Sequence, residues 1–344
     1  MSRLIVVSNR VSAPADPAAG SAGGLAMALS AALRKYDGLW FGWSGETVDH
    51  WTGEVKIEDR AGVTVGLVDL EGQDVDEYYN GYANKTLWPL FHHRVDLTQY
   101  ERSYGEGYER VNRRFAEVLA PAIQPDDIIW IHDYHMIPMA RDLRRLGITN
   151  RIGFFLHIPF PAPEILTAIP PHNDLLKTLC YYDLIGFQTD TDRLAFQDYI
   201  TREVRGVIEP DGSLTAYGQN FRAGVYPIGV VPDEIQQLAE GYKGRAHPMR
   251  RATDTRRQTI ISVDRLDYSK GLEERLLGYE QFLHDNASMR GEVFLLQVTP
   301  KGVKSWCYRY TLNNKTRVMG LGPVHRISFD EATKRARKIR VLLD

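Results

Sequence analysis

The stretch Asp126–Pro161, DDIIWIHDYHMIPMARDLRRLGITNRIGFFLHIPFP, leaves few folds open to the chain that contains it. Ile128–Ile131 and Ile152–Leu156 are short apolar runs rich in β-branched and aromatic residues, the pattern of strands buried on both faces of a parallel sheet. Between them, Met136–Leu146 carries apolar residues at roughly helical spacing and ends in Arg144, Arg145 and Gly147, a helix stop signal. That is one βαβ unit. Its strands deliver polar residues at their carboxyl ends: His132, Asp133 and His135 after the first, His157 after the second. Open α/β sheets bind ligands outside those ends, so Asp and His side chains converging there mark a candidate site.

The alternation extends in both directions. Leu4–Val7 reads as a strand and Leu25–Leu33 as a helix, and Leu39–Trp43, Val55–Ile57 and Val63–Val68 read as a strand meander. Gly107–Ala120 is an amphipathic helix feeding the βαβ unit. Asn173–Cys180 and Thr191–Val204 are helical around a strand at Leu184–Gln188, and Gly224–Ile228 is a further strand. A polar stretch containing Lys243–Arg251 marks a domain crossing, as expected for a 344-residue chain. A second αβ unit follows: strand Thr259–Val263, helix Gly271–Leu283 with Leu272, Leu276, Leu277 and Phe282 inward, and strand Val293–Val298. From Lys301 onward cations are scattered and apolar runs are few, with helical promise only at Phe329–Leu343.

Charge narrows the function. A net charge of −2 sets up no global field toward nucleic acid or anionic membrane, so any phosphorylated ligand must be met by local cations. The apolar run in MSRLIVVSNR is too short for a signal peptide, no stretch approaches the roughly 18 apolar residues of a membrane span, and Cys180 and Cys307 lack metal-type spacing. A cytoplasmic protein with reduced thiols is expected. Four local features carry chemistry, each with a plainer alternative. Ser21–Gly24 opens a helix near Arg10 and is either an anion cradle or a flexible loop. The aromatic block from Tyr78 to His93 presents faces and polar edges fit for a sugar, or is a packed Ω-loop with buried tyrosines. Arg265 and Lys270, at a strand end beside a helix start, suit a diphosphate, or pair on the surface with Asp264 and Asp267. His132, Asp133, His135 and His157 could make a metal hydrolase, but His132 and His135 stand three apart in a loop and not four apart on a helix.

Taken in order, VSNR at Val7–Arg10, SAGGL at Ser21–Leu25, LWFGWSGE at Leu39–Glu46 and EYYNGYANKTLWP at Glu77–Pro89 resemble the trehalose-6-phosphate synthase family. The resemblance continues through IWIHDYH at Ile129–His135, GFFLHIPFPAPEI at Gly153–Ile165, GFQTDTDRLAF at Gly186–Phe196, YPIGV at Tyr226–Val230 and VDRLDYSKGL at Val263–Leu272. It implies an α/β fold of the GT-B type, two Rossmann-like domains, the second incomplete here. On that reading residues 1–228 are the acceptor domain, 229–300 begin the nucleotide-sugar domain, and 301–344 are an atypical tail without family resemblance. The implied activity is a retaining glycosyltransferase that moves glucose from UDP-glucose to glucose-6-phosphate, with no metal and no cofactor. The implied acceptor site is Arg10 and Tyr79 for the phosphate with Trp88 and Asp133 for the sugar. His157 falls beside the reacting centre, and Gly23, Gly24, Arg265 and Lys270 fall on donor-binding positions. Catalysis would then rest on His157, Asp133, Arg265 and Lys270, with neither nucleic acid nor membrane as partner and room for a homo-oligomer. The family's later donor-binding motifs have no counterpart in Lys301–Asp344, which predicts a truncated or frameshifted chain. The alternative from another class is a non-catalytic sugar-phosphate-binding remnant that associates with an intact synthase.

Overall fold

A computed structural model describes residues 2–11, 33, 36, 38–60, 62–229, 232–241, 258–264, 267–290, 292–298, 305–312, 315–323 and 334. The chain divides into two compact units, Met1–Val231 and Pro232–Asp344.

The first unit is built on one sheet. Its central strands are β1 (Leu4–Arg10), β2 (Leu39–Val48), β4 (Val63–Glu71), β5 (Ile128–His132), β6 (Ile152–Phe155), β7 (Leu184–Phe187) and β10 (Gln219–Val225), and all pair in parallel. One edge is finished by the antiparallel β3 (Lys56–Arg60), the other by β9 (Leu214–Ala216) and β8 (Val207–Ile208), giving the order β3-β4-β2-β1-β5-β6-β7-β10-β9-β8. The three early strands are therefore not a meander: β2 and β4 lie side by side and parallel, with β3 turned back outside β4. From β1 the chain moves out through β2 to β4, then returns to β5 on the other side of β1. The strand order reverses there, and the carboxyl ends of β1 and β5 flank the switch-point crevice of a doubly wound sheet.

Both faces of β1 are buried, as a run of consecutive apolar residues requires. Ile5 and Val7 point into the larger core with Phe41, Phe115 and Ile131, while Val6 faces a smaller cluster with Trp40, Val65 and Leu67. Each such residue contributes about 1.5–3 kcal/mol through removal from water. Helix α1 (Arg102–Leu119) covers the larger face with Tyr108, Val111, Phe115 and Leu119, and α2 (Met139–Arg145), α3 (His172–Leu179) and α4 (Asp190–Arg202) complete the alternation.

The aromatic block is neither a loop nor an α-helix but a 13-residue π-helix, Val75–Leu87. Its buried residues Tyr78, Tyr82, Ala83 and Leu87 recur every four to five positions, as the wider i→i+5 winding demands. It lies close against α1, where Glu77 fills the space a side chain on Gly107 would need. The fully buried Asp74 just before it accepts bonds from both Arg110 and Arg114 of α1.

At the end of β5 the chain makes a costly turn. Asp133 has φ +75° and ψ +166°, a region that a residue with a Cβ enters at about 1–3 kcal/mol. The surroundings over-determine it. Asp133 N–H donates to the Phe155 carbonyl at 2.8 Å. The next three carbonyls are taken by buried side chains: Tyr134 by the Tyr108 hydroxyl at 2.6 Å, His135 by Asn112 Nδ2 at 3.1 Å and Met136 by the Tyr182 hydroxyl at 2.9 Å.

The second unit contains α5 (Pro232–Gly241), a β-α-β segment and a hairpin. In the segment, β11 (Gln258–Val263) pairs in parallel with β12 (Val293–Val298) through α6 (Leu272–Asp285). Leu276 and Leu277 do not face inward as expected: they are 38% and 49% exposed, and Ile261 and Val263 of β11 are 64% and 58% exposed. Two strands alone bury little of a parallel sheet. Residues 305–323, where few apolar runs promised structure, form an antiparallel hairpin of β13 (Ser305–Leu312) and β14 (Lys315–Pro323) in a sheet of its own. The helix expected at Phe329–Leu343 lies outside the described residues apart from Lys334.

The strain at Asp133 has a measurable sign. Glycine enters this backbone region freely, whereas alanine keeps the strain, and both lose the carboxylate. Asp133→Gly is expected to be more stable than Asp133→Ala by about 1 kcal/mol in urea unfolding, after glycine's unfolded-state entropy is counted. Alanine proving the more stable would show that the turn is unstrained.

Candidate functional site

Polar side chains gather at the carboxyl ends of β1, β5 and β6. Arg10 ends β1 exposed, its guanidinium carbon 5.6 Å from the centre of the Trp43 ring. Gly45 (φ +98°) is needed for that approach, because a methyl group there would collide with the guanidinium. Just before Arg10, the Ser8 hydroxyl accepts from Trp40 Nε1 at 2.8 Å and Asn9 Oδ1 accepts from the Tyr78 hydroxyl at 2.8 Å. The exposed cation therefore stands on a rigid strand end.

A run of ring contacts leads away from Arg10. Trp43 meets Tyr79 edge-on at 5.6 Å, and Tyr79 stacks on His135 at 5.8 Å with 17° between the planes. His135 packs on Tyr134, and Tyr134 lies 5.7 Å from Trp88. Tyr79 and Trp88 are half-buried, so each keeps part of its surface open. The π-helix supplies Tyr79 and hands directly to the turn Trp88–Phe91.

Asp133 is half-buried at the junction of β5 and β6, and its Oδ1 accepts from the backbone N–H of His157 at 3.2 Å. The His157 ring is held from the other side, with Nε2 2.9 Å from Nδ1 of His132 and the rings stacked at 5.2 Å. His132 is buried between Trp130 and Phe155. Arg10, Tyr79, Trp88, Asp133 and His157 thus form one connected group. Gly23, Gly24 and Arg265 lie outside the described residues. Lys270 belongs to the second unit, exposed at the end of the 3-10 turn Tyr268–Lys270, where Gly271 (φ +57°) opens α6. The surface pairing of Arg265 with Asp264 and Asp267 lies outside the described residues. Asp264 binds Arg275 at 2.7 Å, and Asp267 accepts from the backbone N–H of Ser269 at 2.9 Å.

Among the described residues the group and the histidines packed on it supply one exposed cation, Arg10, one carboxylate, Asp133, and three neutral imidazoles, His132, His135 and His157. Burial lowers all three histidines from the usual 6.5: His157 to about 4, His135 to about 3, and His132 well below its ordinary value, with His157 as a second cause. His132 and His157 bond each other while His135 packs among Tyr78, Tyr79 and Tyr134, so the imidazoles share no ligand point. Among the described residues no group of three or more His, Cys, Asp or Glu is placed to hold a metal ion. The arrangement suits an anionic sugar: a cation for the anion, aromatic faces for C–H surfaces, and a carboxylate and imidazole for hydroxyls. Asn9 and Trp43 join the site with no separate signal in the sequence, although Asn9 sits in the SNR motif.

The histidines fix a pH dependence. Above pH 6.5 both folded and unfolded chains hold them neutral, and stability is whole. As pH falls toward 4 the unfolded chain takes up protons that the fold refuses, and stability drops. At pH 5 the loss is on the order of 2 kcal/mol for each buried histidine. The urea midpoint is expected to fall steadily from pH 7 to pH 5, above the range in which the carboxylates titrate, and His135→Phe is expected to flatten the curve. A midpoint constant over that range would show these rings to be solvated.

Comparison with known proteins gives the family. Residues 3–319 match the model of glycosyltransferase family 20. The trehalose-6-phosphate synthase of Escherichia coli (strain K12) is 50% identical over 300 residues, 87% of this chain and 63% of that protein. A Burkholderia xenovorans α,α-trehalose-phosphate synthase (UDP-forming) in complex with glucose-6-phosphate matches with TM-score 0.80 and 48% identity over 87% of this chain and 66% of its own. An Escherichia coli structure bound with UDP-2-fluoro glucose matches with TM-score 0.78 and 48% identity over 87% of this chain and 64% of its own. The chain thus spans about 63% of the length of the curated relatives it matches. The α/β fold is of the GT-B type, and the chain belongs to glycosyltransferase family 20.

Proposed function

We propose that the first unit binds glucose-6-phosphate, and that the protein transfers glucose to it from UDP-glucose with retention, giving trehalose-6-phosphate and UDP. The observation that carries this reading is the connected group Arg10–Trp43–Tyr79–His135 with Asp133, gathered at the strand switch point. The Burkholderia xenovorans relative complexed with glucose-6-phosphate and the Escherichia coli relative holding UDP-2-fluoro glucose support it. Arg10 and Tyr79 hold the phosphate: the guanidinium matches phosphate geometry and the phenol donates one further bond. Trp88 lies against the sugar and Asp133 accepts from its hydroxyls. His157 stands nearest the reacting carbon, and Gly23, Gly24, Arg265 and Lys270 serve the donor.

The chemistry follows from charge. The bond between C1 of the donor glucose and the diphosphate oxygen breaks while the acceptor O1 bonds to C1 on the same face. The leaving diphosphate takes the acceptor proton, so no carboxylate nucleophile is required. Negative charge grows on the diphosphate, and Arg265 and Lys270 stabilise that state more than the ground state. The cytoplasm is the compartment that fits this reading. A second reading, a sugar-phosphate-binding chain without transfer, is favoured by the exposed apolar face of β11 in the second unit.

Two measurements separate the readings. Calorimetric titration with glucose-6-phosphate is expected to show binding that Arg10→Ala weakens by at least roughly tenfold, the loss of one charge-assisted contact. With UDP-glucose added, UDP release is expected and Lys270→Ala lowers it by roughly two orders of magnitude. Binding without UDP release selects the second reading, and absence of glucose-6-phosphate binding sinks both.

A further inference from the structure

The pair formed by His132 and His157 has a consequence for which atom the site presents. His132 Nδ1 and His157 Nε2 are 2.9 Å apart, and His132 Nε2 has no hydrogen-bond partner among the described residues. Burial keeps both rings neutral, so each carries a single N–H and one of them must donate to the other. Two arrangements satisfy the contact. If His157 donates from Nε2, His132 must carry its own proton on Nε2, a buried N–H with no acceptor. If His132 donates from Nδ1, its Nε2 is left only as a bare lone pair against Trp130 and Phe155. Orphaned buried N–H groups are rarer than under-satisfied acceptors, which selects the second arrangement.

We infer that His132 is a positioning residue: its Nδ1–H bond to His157 Nε2 fixes His157 as the Nδ1–H tautomer and leaves that N–H as its ring donor toward the ligand. The backbone of His157 is pinned as well, through its N–H to Asp133 Oδ1 at 3.2 Å, so main chain and ring are both held. A neutral donor at this place bonds a sugar or leaving-group oxygen without adding a second cation to the site. That ligand role rests on the proposed function, whereas the tautomer itself is a property of the unliganded protein.

The experiment is ¹⁵N-histidine NMR of the whole chain at pH 7, with His132→Asn, His132→Gln and His132→Leu beside the parent. Asparagine places its amide nitrogen where the imidazole Nδ1 sits, while glutamine places it near Nε2. The expected result is a parent His157 protonated on Nδ1 with Nε2 unprotonated. His132→Asn is expected to retain that signature, and His132→Leu and His132→Gln to lose it. UDP release is expected to fall roughly 10–100-fold in His132→Leu, as when an orienting partner is removed from another functional imidazole. Glucose-6-phosphate affinity stays near the parent value, and asparagine recovers turnover. A parent His157 protonated on Nε2 overturns the inference, and so does an unchanged His157 signature in a folded His132→Leu protein. The parent spectrum needs neither variant nor ligand, so it decides the inference even if the chain binds no sugar phosphate.

Discussion

The turn Asp133–Met136 is held against its own strain. A residue bearing a Cβ at φ +75° persists only where its neighbours leave no cheaper conformation, and here three successive carbonyls are engaged by Tyr108, Asn112 and Tyr182. Releasing the turn would orphan those buried groups, each at about 1–3 kcal/mol, more together than the strain itself. The consequence is directional. With the turn fixed, the Asp133 carboxylate reaches the N–H of His157, and the ends of β5 and β6 become a single rigid edge.

Helix α1 is what makes this affordable. Tyr108 and Asn112 stand one turn apart on its buried face, and the same helix carries Arg110 and Arg114 to the buried Asp74. A carboxylate with no exposed surface is tolerable only when paired, and two guanidinium groups pair it here. Through that pairing and the close approach at Gly107, α1 sets the position of the π-helix, and hence of Tyr79 and Trp88. One helix thus fixes both the Asp133 side and the aromatic side of the site, which couples the stability of the core to the geometry of the ligand surface.

What the sequence disclosed divides along physical lines. The parallel strands and the βαβ unit at Ile128–Phe155 were legible because burial on both faces forces continuous apolar runs. The π-helix was not, because a search for a 3.6-residue period finds no stripe in residues buried every four to five positions; burial of Tyr78 and Tyr82 was anticipated, their winding was not. The positive φ of Asp133 was invisible, since nothing local to HDYH calls for it and the bonds that enforce it come from Tyr108, Asn112 and Tyr182, distant in sequence. Apolar runs separated by turn residues carry no sign of direction, so the parallel crossing of β2 and β4 has the sequence pattern of a meander. The hairpin at 305–323 does have a trace in the sequence, where Trp306, Tyr308, Tyr310 and Leu312 alternate with period two among scattered cations.

The site's charge inventory is more constraining than its membership. Had His132, His135 and His157 been solvated, they would gain charge near pH 6.5, and the surface would become a general anion trap. Burial removes that charge, which leaves Arg10 as the cation at the end of β1. The cation thus stands at one end of the aromatic run, and the Asp133 carboxylate with the neutral His157 imidazole stands at the other. A ligand with a phosphate at one end and hydroxyls at the other satisfies both ends at once. Inorganic phosphate satisfies only the first, and a neutral sugar only the second. The separation of charge along a rigid run of rings, more than any single contact, is what gives this surface grounds to discriminate.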